Sequence, residues 1–274
     1  MKNCTLPGDI FSVETLSYLV VMLIDGRVCK VENENVAELF NLEDNIKHTH
    51  RHENTIYIAT SSTLFSLVGE ELKPLHKLDL SQISAMATSK CGSNLCIGHH
   101  DGKITVITPN ETYTYQEHED SIIGLVIRSN RIYSASEDGI INKTVLLQKE
   151  AKDTYAINKV IKYIGDHFGQ IMIIDLGGSI YTLNTAINDL TRTKKVVKKV
   201  YNVFLLGGTI YTTYRNELFQ ILSLSEAAKM EVPELRIDGL FKYQGTIYPF
   251  VRNMLRNWAE ETVPNELEEF FEDL

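Results

Sequence analysis

QEHEDSIIGLVIRSNRIYSASEDGIINKTVLL, residues 116–147, contains three strand signals separated by turns. The apolar run 122–127 is followed by turn residues and then by a second strand of β-branched, aromatic and small residues at 132–136. Asp138-Gly139 predicts a tight hairpin, because glycine adopts a positive φ without steric cost. A third strand follows at 140–147. A unit of this size cannot bury its own apolar face, so further copies are predicted.

The same unit recurs along the whole chain. The apolar residue that opens each middle strand stands at Leu19, Ile56, Leu95, Ile132, Ile171, Ile210 and Ile247. Successive positions are 37, 39, 37, 39, 39 and 37 residues apart. Turn residues repeat in step at 25–26, 61–62, 101–102, 138–139, 177–178, 215–216 and 252–253. Two markers that keep one period of about 38 residues predict seven blades of a β-propeller.

At this point the chain resembles the WD-repeat β-propeller family, most clearly in the fourth unit. Glu117-His118 stands where the family has Gly-His, and residues 134–139 stand where it has a Ser-x-Ser-x-Asp-Gly run. Trp258 follows the last turn at the family's spacing. The resemblance implies an all-β chain, a seven-bladed propeller of four-stranded blades and a scaffold function in a eukaryotic multi-protein assembly.

The resemblance also implies residues that hold each blade together by hydrogen bonds. They are His118, Ser134, Ser136, Asp101, Asp138 and Trp258, with Thr144 at the tryptophan position of the fourth unit. Rings of this family usually close when one terminus completes the blade that the other terminus begins. We therefore predict that the N-terminal strand, in residues 1–8, completes the blade of Ile247 and Trp258, which removes two sheet edges.

Composition places the chain among ordinary intracellular globular proteins. It has 274 residues, of which 43% are hydrophobic and 23% charged. The sequence contains no run of 18 apolar residues, so no membrane span is predicted. The start MKNCTLPGDIF lacks the apolar core of a secretory signal. Cys91 and Cys96 could form a disulfide or half of a metal site, but the interpretation we favour is reduced thiols in a hairpin. We expect a cytoplasmic or nuclear location, no membrane partner and no cofactor.

The net charge of −9 is unevenly distributed. Residues 259–274 contain seven Asp or Glu and no Lys or Arg, so subtracting −7 from −9 leaves about −2 for the rest. This shift predicts two regions, a propeller at 1–258 and an acidic tail at 259–274. In the tail, Asn265 can cap a short helix.

Four apolar tail residues share one face of that predicted helix, namely Leu267, Phe270, Phe271 and Leu274. A ten-residue helix is marginal alone in water, so it needs a surface to pack against. The helix either folds back on the propeller or docks in a groove of a basic, apolar partner. These four residues are therefore predicted partner contacts.

A basic segment precedes the sixth unit. Residues 192–200 contain Arg192, Lys194, Lys195, Lys198 and Lys199, and they span an outer strand and the loop to the next inner strand. That loop is predicted to open on the face of the Asp-Gly turns. The cations are candidates for binding RNA phosphates, for protecting a solvated edge strand, or for binding the acidic tail. His118 and Glu137 are predicted partner contacts on the same face.

Catalytic motifs are absent from the sequence, including Gly-x-Ser-x-Gly, His-Glu-x-x-His and Walker loops. His48, His50 and His52 alternate in IKHTHRH and share one face of a predicted strand. They could bind a transition metal, or they could form a polar inner strand that faces the channel, which is the interpretation we favour. The His-Asp pair at residues 99–101 is interpreted as structural.

The sequence thus predicts a non-enzymatic scaffold that contacts other proteins of a multi-subunit complex. The first alternative is a ribosome-assembly or other ribonucleoprotein factor that uses segment 192–200 on RNA. A lesser alternative is a metal-dependent enzyme that uses the face of His48, His50 and His52.

One local secondary-structure prediction concerns residues 223–231, whose good helix formers predict an inserted helical turn.

Overall fold

The structure is a computed structural model that describes residues 3–32, 35–146, 151–167, 169–195, 197–215, 217–230 and 237–256. Residues 151, 152 and 194 are described by their backbone alone. Within these ranges the regular elements are 28 β-strands, arranged as seven antiparallel sheets of four strands. The predicted all-β class and the seven four-stranded blades are confirmed.

The first four blades each consist of four consecutive strands, and the innermost strand comes first in each. Blade 1 contains β2 (Ile10–Thr15), β3 (Leu19–Leu23), β4 (Arg27–Glu32) and β5 (Asn35–Asn41). Blade 2 contains β6 (His48–His52), β7 (Thr55–Ala59), β8 (Thr63–Val68) and β9 (Glu71–Lys77). Blade 3 contains β10 (Ile83–Thr88), β11 (Leu95–His99), β12 (Lys103–Ile107) and β13 (Thr112–Gln116). Blade 4 contains β14 (Ile122–Arg128), β15 (Arg131–Ser136), β16 (Ile140–Val145) and β17 (Ala151–Ala156).

The last three blades complete the ring. Blade 5 contains β18 (Ile161–His167), β19 (Gln170–Asp175), β20 (Ser179–Asn184) and β21 (Asp189–Lys195). Blade 6 contains β22 (Asn202–Leu206), β23 (Thr209–Tyr214), β24 (Glu217–Ser223) and β25 (Glu226–Met230). Blade 7 contains β26 (Gly239–Tyr243), β27 (Thr246–Val251), β28 (Met254–Leu255) and, as its outer strand, β1 (Cys4–Thr5).

The N-terminal strand closes the ring. Cys4 pairs with Leu255 in antiparallel register, and the Leu6 N–H donates to the Asn253 carbonyl at 2.6 Å. The Leu6 side chain is buried in the cluster between blades 7 and 1. The predicted completion of the last blade by residues 1–8 is therefore confirmed, although Trp258 lies outside the described residues.

The hydrophobic core of the described residues lies between the blades. One buried cluster fills each of the seven contacts between neighbouring blades. Strand β3 shows why its residues are all apolar. Leu19, Val21 and Leu23 pack toward blade 7, whereas Val20 and Met22 pack toward blade 2. Because successive side chains point to opposite faces and both faces are covered, the middle strands are apolar throughout.

The helical turn predicted at residues 223–231 is wrong in the described part of that segment. Residues 226–230 form β25, the outer strand of blade 6, and Ala227 pairs with Ile221 of β24. Alanine, glutamate and lysine favour helices, but helix propensity is weak compared with the pairing of a strand to an existing sheet.

The predicted C-terminal helix, including Leu267, Phe270, Phe271 and Leu274, lies outside the described residues, so the division at residue 258 stays a prediction. In the described part of the chain, no helix has the length and apolar character needed to cross a bilayer. Cys91 and Cys96 are both free thiols.

Candidate interaction surface

One end of the ring, here the upper face, carries the turns between the second and third strands of each blade and the loops that enter the next blade. Backbone hydrogen bonds join these two sets of loops. The Ile157 N–H donates to the Gly139 carbonyl at 3.1 Å, and the Val200 N–H donates to the Leu176 carbonyl at 3.0 Å. Gly139 has a φ of +87°, and a Cβ there would lie 2.6 Å from the Lys159 carbonyl oxygen. The Asp-Gly turn therefore fixes the position of the loop beside it.

A buried hydrogen-bond network holds the upper part of blade 4 together. His118 Nε2 lies 2.7 Å from Ser134 Oγ. The Glu117 carboxylate accepts from Thr144 Oγ1 at 2.5 Å and from Ser134 Oγ at 3.5 Å, and the Glu117 carbonyl accepts from Asn142 at 2.8 Å. Glu117 thus bridges the serine to the threonine that stands at the family's tryptophan position.

His118 belongs to the interior of the blade. Its side chain is 5% exposed, and burial lowers its pKa to about 4 despite the opposing charge of Asp138. The predicted role of His118 as a partner contact does not fit this position, because the imidazole is covered and faces Ser134. Ser136 is likewise buried, but its hydroxyl has no hydrogen-bond partner among the described residues, so its predicted bonding role is wrong. Glu137 is exposed at the turn, where a partner can reach it.

The aspartates of the Asp-Gly turns stabilise their own turns. Asp138 Oδ1 accepts from the Ile140 N–H at 2.8 Å, and Asp101 Oδ1 accepts from the Lys103 N–H at 3.2 Å. In blade 3, buried His99 lies 2.9 Å from Thr105 Oγ1. His99 and Asp101 therefore occupy structural positions in their blade.

Asp175 in blade 5 is a buried carboxylate that the sequence analysis missed. It accepts from the Ser179 N–H at 2.8 Å and from Tyr181 Oη at 3.2 Å, and Lys159 Nζ lies 3.4 Å from it. The repeat could have revealed it. Asp175 pairs with Ile161 as Ser136 pairs with Ile122, so it stands at a position where blade 4 has a buried serine.

The predicted basic segment reaches the upper face between blades 5 and 6. Lys195 ends the outer strand β21, and Lys198 and Lys199 lie in the loop to β22 with exposed side chains. The Lys194 side chain lies outside the described residues. Arg192 donates to Ser179 Oγ at 3.0 Å, which places its guanidinium against blade 5.

Three residues that the sequence analysis did not select extend this surface. Tyr201, which is 50% exposed, lies 5.3 Å from Tyr214 between ring centroids. The Arg215 guanidinium lies 5.4 Å from the Tyr214 ring centroid. The basic patch is hereafter defined as the set Lys195, Lys198, Lys199, Tyr201, Tyr214 and Arg215. The signal in the sequence was Tyr201, which stands two residues after Lys199.

The carboxylates that the structure describes near the basic patch do not pair with its cations. Among the described residues, Lys195, Lys198, Lys199 and Arg215 form no ion pair. The nearby carboxylate of Glu217 is paired with Lys229 at 2.6 Å. The Lys229 hydrogen bond holds the pKa of Glu217 below its ordinary value, and the charges of Lys198 and Arg215 lower it further.

Comparison with solved structures gives the fold independently. The WD40 β-propeller domain of Doa1 superposes with a TM-score of 0.68 at 15% identity, over 94% of this chain and 95% of that one. A chain of a mitotic checkpoint complex gives 0.67 at 14% identity, over 94% and 91%. The computationally designed protein Ika8 gives 0.67 at 15% identity, over 90% and 82%. No protein-family model and no curated protein matches the sequence.

The chain has the fold of a WD40 β-propeller domain. At these identities the likeness establishes the architecture alone, and the surface residues carry any argument about partners. The degenerate motifs agree with this result, since blade 4 keeps the His-Ser contact but replaces the tryptophan with Thr144.

Two of the three predicted histidines, His48 and His50, line the central channel of this WD40-type propeller. His48 and His50 border a cavity of 400 Å³ among the inner strands. Burial lowers the pKa of both to about 4, helped by the charge of His100 for His48 and by the charges of His48 and His52 for His50. His50 Nε2 lies 3.1 Å from Thr88 Oγ1. Within the described ranges, no three His, Cys, Asp or Glu side chains converge as a metal site.

The lower mouth of the channel forms a shallow depression of 790 Å³. Its wall contains a long ion pair, in which Arg51 Nη1 lies 3.8 Å from Glu14 Oε2. Burial raises the pKa of Glu14 above its ordinary value, and Arg51 partly offsets this shift. The pair joins the inner strands of blades 1 and 2, so it has a structural explanation.

Proposed function

We propose that this protein is a non-enzymatic scaffold that binds other proteins of a multi-subunit assembly in the cytoplasm or nucleus. The basic patch is its principal contact surface, and Glu137, exposed on a turn of blade 4, is a further predicted contact. The observation that carries this proposal is a group of cations that form no ion pair with the described carboxylates and lie beside a half-exposed tyrosine on a closed ring. Rigid rings commonly present binding loops in this way.

The chemistry of the patch indicates the class of partner. Tyrosine and arginine are enriched where protein interfaces bind tightly, because they offer large contact areas with polar ends. Lysines around them attract carboxylates and increase the rate of association. The partner is therefore an acidic protein surface or segment that also carries apolar side chains.

The non-enzymatic part of the proposal is supported by the positions of the histidines. His99 and His118 bond to hydroxyl groups inside their blades, and His50 bonds to Thr88 in the channel. A general base needs access to a substrate proton, which the buried imidazoles of blades 3 and 4 lack.

The test is affinity purification of the full chain from its native organism, with partners identified by mass spectrometry. The variant Lys198→Glu/Lys199→Glu should lose specific partners, because it reverses two charges of the patch. The matched control is Lys47→Glu/Lys77→Glu, which changes two exposed cations on the upper side of blade 2. Identical partner sets from wild type and the patch variant would refute the proposed surface.

A second candidate function is RNA binding in a ribonucleoprotein, which one feature favours. An exposed aromatic ring among cations is the arrangement that binds single-stranded nucleic acid through stacking and phosphate contacts. Binding of a labelled oligouridylate should then weaken steeply with salt and disappear in Lys198→Glu/Lys199→Glu. A flat salt response would remove this candidate.

A further inference from the structure

The basic patch exposes apolar side chains to solvent together with its positive charges. Besides cations that pair with no described carboxylate, it exposes half of Tyr201, and Val160 in the loop that enters blade 5 is 42% exposed. Leu176 connects the two sides, since its N–H donates to the Val160 carbonyl at 2.8 Å and its carbonyl accepts from Val200 at 3.0 Å. A surface that combines positive charge with apolar area is complementary to an acidic, amphipathic segment.

This chain carries such a segment in residues 259–274. Seven carboxylates and no Lys or Arg give it the charge opposite to that of the patch. Leu267, Phe270, Phe271 and Leu274 recur at the spacing of one helical stripe, which gives it an apolar face. Exposing such a stripe to water is unfavourable by about 25 cal/mol per Å² of apolar surface.

The end of the described chain lies within reach of the patch. Arg256 follows β28 of blade 7, and its N–H donates to the Pro249 carbonyl at 3.0 Å. Blade 7 adjoins blade 6, which contributes Tyr214 and Arg215 to the patch. Residues 257–265 can span roughly 30 Å when extended, since each residue contributes at most about 3.3–3.6 Å. A tether of this length holds its end at an effective concentration on the order of millimolar.

We propose that residues 259–274 bind the basic patch of their own chain. The carboxylates face Lys198, Lys199 and Arg215, and the apolar stripe covers Tyr201 and Val160. The acidic segment thereby occupies the surface that an acidic partner would use. This inference rests on the proposed function for the role of the patch, whereas the contact itself can be measured without any partner.

The experiment uses the full chain and a fluorescein-labelled peptide of residues 259–274, with binding followed by fluorescence anisotropy. Wild type should bind the peptide weakly, because its own segment occupies the patch. The full-chain variant Phe270→Ala/Phe271→Ala should bind it at least ten-fold more tightly. Adding Lys198→Glu/Lys199→Glu to that variant should reverse the gain, whereas adding Lys47→Glu/Lys77→Glu should leave it unchanged.

Several results would overturn the proposal. Equal peptide affinity in wild type and Phe270→Ala/Phe271→Ala would show that the segment does not cover the site in its own chain. Equal losses in both charge-reversal variants would show that the attraction is not localised at the patch. Binding of an oligouridylate in place of the peptide would assign the patch to nucleic acid. Failure to capture partners from extracts, by contrast, would refute the proposed function and leave these peptide results unaffected.

Discussion

At the scale of single residues, the fourth blade forms its buried hydrogen bonds with residues that differ from the pattern of the WD-repeat family. Glu117 stands where the WD-repeat family, which the sequence resembles, has glycine, and Thr144 stands where that family has tryptophan. In the structure these two departures meet, because Thr144 donates to the Glu117 carboxylate. Burial raises the pKa of Glu117, whereas the hydrogen bonds from Thr144 and Ser134 lower it. Glu117 and Thr144 therefore depend on each other, because the threonine supplies a hydrogen-bond donor to the glutamate.

The change Thr144→Val tests this pairing. It keeps the shape of the buried side chain but removes the donor to a largely buried carboxylate, which should cost about 1–3 kcal/mol of unfolding free energy. Urea unfolding followed by circular dichroism measures the loss. Thr112→Val, on the exposed outer strand of blade 3, should stay within about 0.5 kcal/mol of wild type. Equal effects of the two changes would mean that the Glu117 contact contributes no stability.

His118 predicts a specific pH dependence of stability. Burial lowers its pKa from the ordinary value of 6.5 to about 4, so between these pH values the unfolded chain binds a proton that the folded chain does not bind. Its contribution is complete above pH 6.5 and is lost as the pH falls toward 4, by up to about 3 kcal/mol. The variant His118→Asn lacks this titration, so its stability deficit should shrink between pH 7 and pH 4.5. The Thr112→Val difference, measured by the same urea unfolding, should stay constant.

At the scale of elements, the two-residue strand β1 has an effect out of proportion to its length. It supplies the fourth strand of blade 7 and places Leu6 in the core between blades 7 and 1. Deleting residues 1–8 should lower the free energy of unfolding by at least about 3 kcal/mol, because it removes a buried leucine and reopens a sheet edge. Thermal unfolding measures the loss, and deletion of residues 1–2 is the control. Unchanged stability in both deletions would show that the ring does not depend on this strand.

Much of this element-level architecture was predictable because it depends on spacing. The positions of Leu19 through Ile247 and the turns that follow them predicted the middle hairpin of every blade. The outer strands were harder. Residues 226–230 favour a helix locally, and only their pairing with β24 makes them a strand. Local propensity cannot report a partner that is supplied by the fold.

The candidate site was only partly predictable for a related reason. The lysines of segment 192–200 were identified from their charge alone. Tyr214 and Arg215 join the patch because β22 pairs with β23 within blade 6, and this pairing places Tyr214 beside Tyr201. His118 shows the reverse error, since its place on the upper side of blade 4 suggested access, whereas packing buries it. The spacing of residues in the sequence therefore did not predict which side chains meet at the surface or which of them are buried.

At the scale of the whole molecule, the rigid ring and the acidic segment together predict competition. A partner that binds the basic patch must displace residues 259–274, so its apparent affinity is reduced by the fraction of molecules in which the patch is covered. The variant Phe270→Ala/Phe271→Ala should therefore capture more of each partner than wild type does, and the gain should shrink at high salt, where the attraction between segment and patch is screened. Quantitative mass spectrometry of purifications at low and high salt measures both effects. If the variant instead loses the partners that Lys198→Glu/Lys199→Glu loses, Phe270 and Phe271 contact the partner directly, and the segment and the patch form one continuous interface.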